Sequence, residues 1–266
     1  MAKIMDRIFL KIADFIIGLK LHKSDPFQVK ELFQQVATYY YRGFTIDKPK
    51  KVDAWIEVVQ NTSFKVLINP KESSYYINFY KERNKKLITY YHVSYNHLKV
   101  VVRKPVHRLL VKNKGLILHG SASLINKKAC LFLGDSGAGK STIVEILTKK
   151  FTPLADDNLI IRKYREGYYF FQTPFIESNY SIKKTSERFP LGKIFVLRKG
   201  RENKITPINN KQIALSLLAK QLITDSADVN TQMKIVFEMI SELDLYKLEF
   251  TLGKKDNLIK ILENEI

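Results

Sequence analysis

The sequence predicts an α/β protein, α+β overall, in two parts. A smaller N-terminal α+β domain covers residues 1–100, and a larger domain built around a glycine-rich loop covers 101–266. Three observations predict this. An apolar strand-like run, residues 129–133, leads into Gly134-Asp135-Ser136-Gly137-Ala138-Gly139-Lys140-Ser141-Thr142, and a helical pattern continues over 141–150. Short runs rich in β-branched and aromatic residues crowd the chain before Asn96. Beyond residue 115, strand-like and helix-like runs alternate.

In the N-terminal part, residues 8–21 predict one or two strands turning near Gly18. Residues 26–37 carry Phe27, Val29, Leu32, Phe33 and Val36 at helical spacing. The runs 52–60, 64–69, 75–80 and 87–93 read as strands separated by turns, which makes this an antiparallel-dominated domain. Its tyrosines, Tyr39, Tyr40 and Tyr41 among them, are explained more simply by a half-buried sheet than by base stacking. A helix over 97–113, interrupted at Pro105, connects the two parts. Strands follow over 115–118 and 121–125, then a turn at Asn126-Lys127-Lys128 and the strand before the glycine loop. The helix after the loop packs through Ile143, Val144, Ile146 and Leu147. A strand over 151–155 ends at Asp156-Asp157; strands over 159–163 and 168–172 turn at Glu166-Gly167. Residues 192–198 and 203–207 predict a hairpin around Lys199-Gly200. Helices over 210–223 and 230–243, a strand over 246–252 and a helix from Asp256 complete the chain.

Composition bounds the function. The longest early apolar stretch, residues 8–19, is broken by Lys11 and Asp14 and is too short to span a bilayer. It carries no small-residue cleavage site, so no signal peptide is predicted. The single Cys130 excludes an internal disulfide and fits the reducing cytoplasm. The net charge of +19 admits an acidic partner, such as an acidic peptide. Lys greatly outnumbers Arg, however, and the positives are spread along the whole chain, so a compositional origin is favoured. No membrane partner is predicted, and no basic helical stripe argues for nucleic acid. A homo-oligomer stays open.

The glycine run fits G-x-x-x-x-G-K-[ST] between a strand and a helix, the setting a phosphate-binding P-loop needs. Its glycines allow backbone amides to converge on an anion, and the helix N-terminus adds partial positive charge. Lys140 can reach the β- and γ-phosphates, and the Ser141 hydroxyl can ligate Mg²⁺. Such a loop needs an acid at a neighbouring strand end, and Asp156-Asp157 is the candidate. One Asp can serve the metal while the other accepts a hydroxyl proton. His119, one strand earlier, can be brought beside the loop by a hairpin, where it would bond a phosphate or an Asp. A structural histidine and a simple polar turn are the plainer readings of His119 and of Asp156-Asp157 taken alone.

Leu118-His119-Gly120-Ser121, the glycine loop and Leu154-Ala155-Asp156-Asp157 resemble, in order and spacing, the catalytic domain of HPr kinase/phosphorylase. That family is related in fold to phosphoenolpyruvate carboxykinase. The chain looks most like the HPr-kinase-like proteins encoded beside peptide-modification genes, some of which phosphorylate serine in a precursor peptide. Gln172-Thr173-Pro174-Phe175, the segment from Phe195 to Gly200 and Leu248-Glu249-Phe250 fit that looser group. The resemblance runs from about Gly115 to the C-terminus. It implies ATP and Mg²⁺, phosphates held by residues 134–142, and metal held by Ser141 and one of Asp156 and Asp157. The other Asp, with Asp157 preferred, would be the base beside His119. The bifunctional enzymes carry a Glu-x-Arg-Gly element that is absent here. Glu177 in Phe175-Ile176-Glu177-Ser178-Asn179 stands as a further metal ligand, and HPr as substrate is put in doubt.

The expected activity is therefore ATP-dependent phosphorylation of a hydroxyl, Ser or Thr of a peptide or protein. A small-molecule acceptor such as free serine, or a nucleotide-binding regulator without catalysis, are the alternatives. A transporter-type or motor ATPase lacks its L-S-G-G-Q-like element here, and a GTPase lacks N-K-x-D. The N-terminal domain is expected to serve the substrate or regulation.

Overall fold

The computed structural model describes residues 6–22, 26–59, 66–69, 74–77, 80–83, 86–91, 95–175, 182–224 and 229–266. The chain divides into two compact units, Met1–Val106 and His107–Ile266.

In the first unit, β1 (Arg7–Ile12), β2 (Phe15–Leu21), α1 (Phe27–Tyr40), β3 (Thr45–Ile46) and β4 (Ala54–Val59) come first. Then follow β5 (Val66–Asn69), β6 (Ser74–Ile77), β7 (Tyr80–Arg83) and β8 (Lys86–Tyr90). A six-stranded sheet runs β3-β1-β2-β4-β8-β7, and β5 pairs with β6 apart from it. Leu10, Ile12, Ile17, Leu19, Ile56 and Val58 form its buried layer. The β1–β2 turn lies at Ala13 and Asp14, both at positive φ (50° and 61°), and not near Gly18. That positive-φ pair matches the strand twist, and Asx residues tolerate it. Gly18 lies inside β2 because Trp55 covers it: a Cβ there would stand 2.5 Å from ring carbons. The sheet is less antiparallel than expected, since β2–β4 and β4–β8 pair in parallel. The connections between those strands are long enough for crossovers, which parallel pairing requires.

Helix α2 (Tyr95–Lys112) carries the division between the units. It continues through Pro105, where an interruption was expected. A proline forfeits one intrahelical donor and strains the turn before it, a cost that surrounding packing can outweigh; Val101, Val102 and Val106 around it are fully buried or nearly so.

The second unit holds β9 (Gly115–His119), β10 (Ser121–Ile125), β11 (Lys128–Leu133), α3 (Lys140–Leu147), β12 (Thr152–Ala155), β13 (Asn158–Tyr164) and β14 (Gly167–Gln172). It continues with β15 (Arg188–Lys199), β16 (Lys204–Pro207), α4 (Lys211–Ala219), α5 (Val229–Glu242), β17 (Leu245–Phe250) and α6 (Lys255–Glu265). A nine-stranded sheet runs β12-β10-β11-β15-β14-β13-β9, with β17 on β15 and β16 on β17. Its centre, β11-β15-β17, is parallel. Strand alternation sends both faces into cores, as parallel strands between helix layers require. Phe132, Phe195, Leu197, Leu248 and Phe250 pack with Ile143, Leu147, Leu258 and Leu262 of α3 and α6. Leu131, Leu133, Ile194, Val196 and Leu245 pack with Leu218, Val236 and Met239 of α4 and α5. Cys130 lies buried within the first of these cores, and burial pushes its thiol up to about 11, so it is an inert apolar filler.

One predicted hairpin is absent. β16 pairs with β17 and not with β15, because β17 inserts between them and buries its own apolar residues there. β9 pairs with β13 and not with β10. The chain breaks between them at Gly120, packed so tightly that a Cβ would stand 2.6 Å from Leu133 Cδ2.

Candidate functional site

The glycine loop joins the end of β11 to the start of α3. Gly134, Gly137 and Gly139 sit at φ of 152°, 76° and 100°, values that exclude most side chains. Gly139 caps α3 with no side-chain bond. The first intrahelical bond is Ile143 N–H to Gly139 O at 2.9 Å, so the amides of Lys140, Ser141 and Thr142 stay outside the helical ladder. They leave an electropositive helix end at the loop.

Lys140 is buried, and its Nζ donates to Gly134 O (2.8 Å) and Asp135 O (3.2 Å). Burial pushes its ammonium below the ordinary value, against the opposing pull of Asp135, Asp157 and Asp156. Ser121 Oγ donates to Lys140 O at 3.0 Å and ties the start of α3 to β10.

The carboxylate pair stands between β12 and β13. Asp156 is 7% exposed, whereas the Asp157 side chain is 37% exposed. The register Asn158↔His119 sets the end of β9 beside this pair, and Gly120 N–H donates to Asp157 O at 2.9 Å. His119 Nδ1 lies 2.9 Å from Asp157 Oδ1, and Asn158 Nδ2 donates to Asp157 Oδ2. Both oxygens of Asp157 are thus engaged by neighbouring strands. His119 reaches Asp157 through β9–β13 pairing, while the expected β10–β11 hairpin, with Ser121 opposite Phe132, sets this stretch of chain beside the loop.

One cleft of about 710 Å³ is lined by His119, Asp156 and Asp157, by Ser136, Gly137 and residues 139–142, and by further residues on its other side. The structure therefore brings together every sequence-predicted site residue except four. Gly134, Asp135 and Ala138 line a second hollow of about 350 Å³ across the loop. Glu177 lies outside the described residues. Among the described residues, no cluster of three or more His, Cys, Asp or Glu side chains is placed to hold a metal ion. The Ser141 hydroxyl and the Asp156 and Asp157 carboxylates in one cleft are hard oxygen donors, a set that suits Mg²⁺ when phosphates complete the shell.

Sequence reasoning missed Gln221. It is 6% exposed, and its backbone O accepts from His119 N–H at 2.7 Å. With its amide nitrogen turned toward two carbonyls, that nitrogen lies 3.2 Å from both Gly134 O and His119 O. It thereby links the first glycine of the loop to the strand end that carries His119. A lone Gln at the end of a helical pattern carries no local signal of this. Lys199, Gly200, Thr251 and Leu252 in the cleft wall were also missed as site residues, because their juxtaposition depends on β15–β17 pairing.

Fold and site together define a mixed α/β protein with a strand, glycine loop and helix end set beside a carboxylate pair, Asp156 buried and Asp157 partly exposed. The chain belongs to the family of SynChlorMet cassette protein ScmC, whose model matches residues 92–243, more than half of the chain. It is also similar to the Hpr(Ser) kinase/phosphatase from Coxiella burnetii, at 10% identity and a TM-score of 0.33, over 56% of this chain and 91% of that one. No curated protein matches.

Proposed function

We propose that this chain is an ATP- and Mg²⁺-dependent phosphotransferase that moves a γ-phosphoryl group to a hydroxyl, Ser or Thr of a peptide or protein. The observation that carries this reading is the Asp157 carboxylate, held by His119 and Asn158 in the cleft that also contains Lys140 and the first turn of α3. The loop acts as a P-loop: its amides and the helix end cradle the phosphates, and Lys140 offsets charge at the β–γ bridge. Ser141 and Asp156 would hold Mg²⁺, which would neutralise charge on the phosphates. Asp157 takes the acceptor's hydroxyl proton as the new O–P bond forms and the bond to the β-phosphate oxygen breaks. His119 and Asn158 keep that carboxylate oriented and exposed to the acceptor.

Several features support the setting. Among the described residues, no helix is long and apolar enough to cross a membrane. The free thiol of Cys130 suits the cytoplasm. Membership of a cassette family points to acceptors encoded beside the gene.

The test incubates the full chain with γ-labelled ATP, Mg²⁺ and either the peptides of neighbouring genes or free serine. Label on peptide is expected. Asp157→Asn should cut transfer by about 100-fold or more while Mg-ATP binding persists. An unchanged rate would remove Asp157 from the chemistry, and label on free serine alone would make the protein a small-molecule kinase.

A further inference from the structure

The two ends of the cleft differ in chemistry. In the sheet, β12, which ends at the aspartates, and β15 with β17 lie on opposite sides of β11 and its loop; Asp156, Asp157 and His119 line one side of the cleft, and Lys199, Gly200, Phe250, Thr251 and Leu252, none of them a carboxylate, line the other. That wall is braced. Gly200 N–H donates to Phe250 O at 3.0 Å. Asn203 Oδ1 accepts from Thr251 N–H at 3.0 Å, and its Nδ2 donates to Lys254 O at 2.8 Å and to Asn257 Oδ1 at 3.1 Å. Phe250 is buried against the loop: a Cβ on Gly139 would meet its ring at 2.6 Å. Leu252, two residues on, keeps 57% of its surface exposed within the cleft lining.

A nucleoside triphosphate is a directional ligand. Lys140, Ser141 and the aspartates mark where its β- and γ-phosphates belong, and the loop amides take the α and β groups. Its sugar and base must then leave in the direction away from the carboxylates. A preformed wall with apolar cover and few polar groups is what a flat, largely apolar base requires, and the cleft volume falls in the range of small-molecule sites.

We propose that Gly200, Phe250 and Leu252 form the nucleoside seat, with Leu252 covering the base and Lys199 supplying a cation for the α-phosphate. This rests on the nucleotide reading above. It assigns the second end of the cleft to the nucleotide, and leaves the acceptor to approach from the side of Asp157.

Titration calorimetry of the full chain with Mg-ATP and, separately, with inorganic triphosphate tests it. The unaltered chain should bind ATP more tightly than triphosphate. Leu252→Asn, a neutral change at an exposed position, should weaken ATP about fivefold and leave triphosphate unchanged. Equal weakening of both ligands, or none for ATP, overturns the proposal. So does a raised KM for the acceptor with ATP binding intact, which would give the wall to the acceptor. If the unaltered chain bound neither ligand, the nucleotide reading itself would fail and the seat with it. Binding of triphosphate as tight as that of ATP would sink the seat alone.

Discussion

The glycine loop and the wall that meets it at Phe250 are built in different ways. The first is one continuous segment, residues 134–142, whose shape follows from three positive-φ glycines and a helix start. The second is assembled from two turns far apart in sequence, at Lys199-Gly200 and at Phe250–Leu252, joined by the parallel register Lys199↔Phe250. The contrast teaches where chemistry is written locally and where the fold must supply it. Phosphate binding needs backbone geometry, which a short motif can specify. A wall for the rest of a ligand needs apolar side chains in place, which only tertiary pairing provides.

Loop and wall meet at Gly139 and Phe250, and each depends on that contact. Gly139→Val combines a φ of 100° with a Cβ 2.6 Å from Phe250 Cζ. It should lower stability by roughly 3 kcal/mol and abolish triphosphate binding, read by denaturant unfolding and calorimetry. A stable variant with full binding would show that loop and wall are independent.

Gln221 braces the loop from its other end. It ties the loop's first glycine to the strand end bearing His119. Gln221→Leu leaves two buried carbonyls without that donor, and should cost about 2 kcal/mol in denaturant unfolding while weakening triphosphate binding. Loss of stability with unchanged binding would mean that the loop does not need this tether.

The smallest effect belongs to Asn210, whose side chain caps α4 by accepting from Gln212 N–H (2.9 Å) and Ile213 N–H (3.1 Å). Asn210→Ala should lower stability by about 1 kcal/mol in the same unfolding assay. The cleft lies beyond the far end of this helix, so ligand affinity should stay as it is.

How much was legible in the sequence follows the same division. The glycine loop, Asp156-Asp157 and His119 stand out as residue types in a pattern, and the structure brings His119, both aspartates and most of the loop into one cleft. The three-residue spacing of Ile143, Val144, Ile146 and Leu147 correctly marked the buried side of α3. Strand partners were not legible. The apolar runs of β15 and β17 look alike to a local reading, and nothing in 203–207 says that its partner comes 40 residues later and not immediately before, roughly the ordinary ambiguity of sheet pairing. Gly18 reads as a turn because glycine permits one, yet it lies in a strand beneath Trp55. Pro105 reads as a break because proline removes a donor, yet buried valines on either side hold α2 together. Gln221 gave no signal at all, since its role exists only once β9, α4 and the loop have come together.

On the proposed function, the loop from Gly134 to Thr142 holds a triphosphate with its terminal phosphorus turned toward the carboxylate that His119 and Asn158 clasp. A crystal structure of the full chain with Mg²⁺ and a non-hydrolysable ATP analogue tests it most directly. The β- and γ-phosphates are expected on the amides of α3 and on Lys140, with Asp157 positioned to meet a hydroxyl in line with the γ-phosphorus. An analogue bound elsewhere, or one whose γ-phosphate points away from both aspartates, would contradict it.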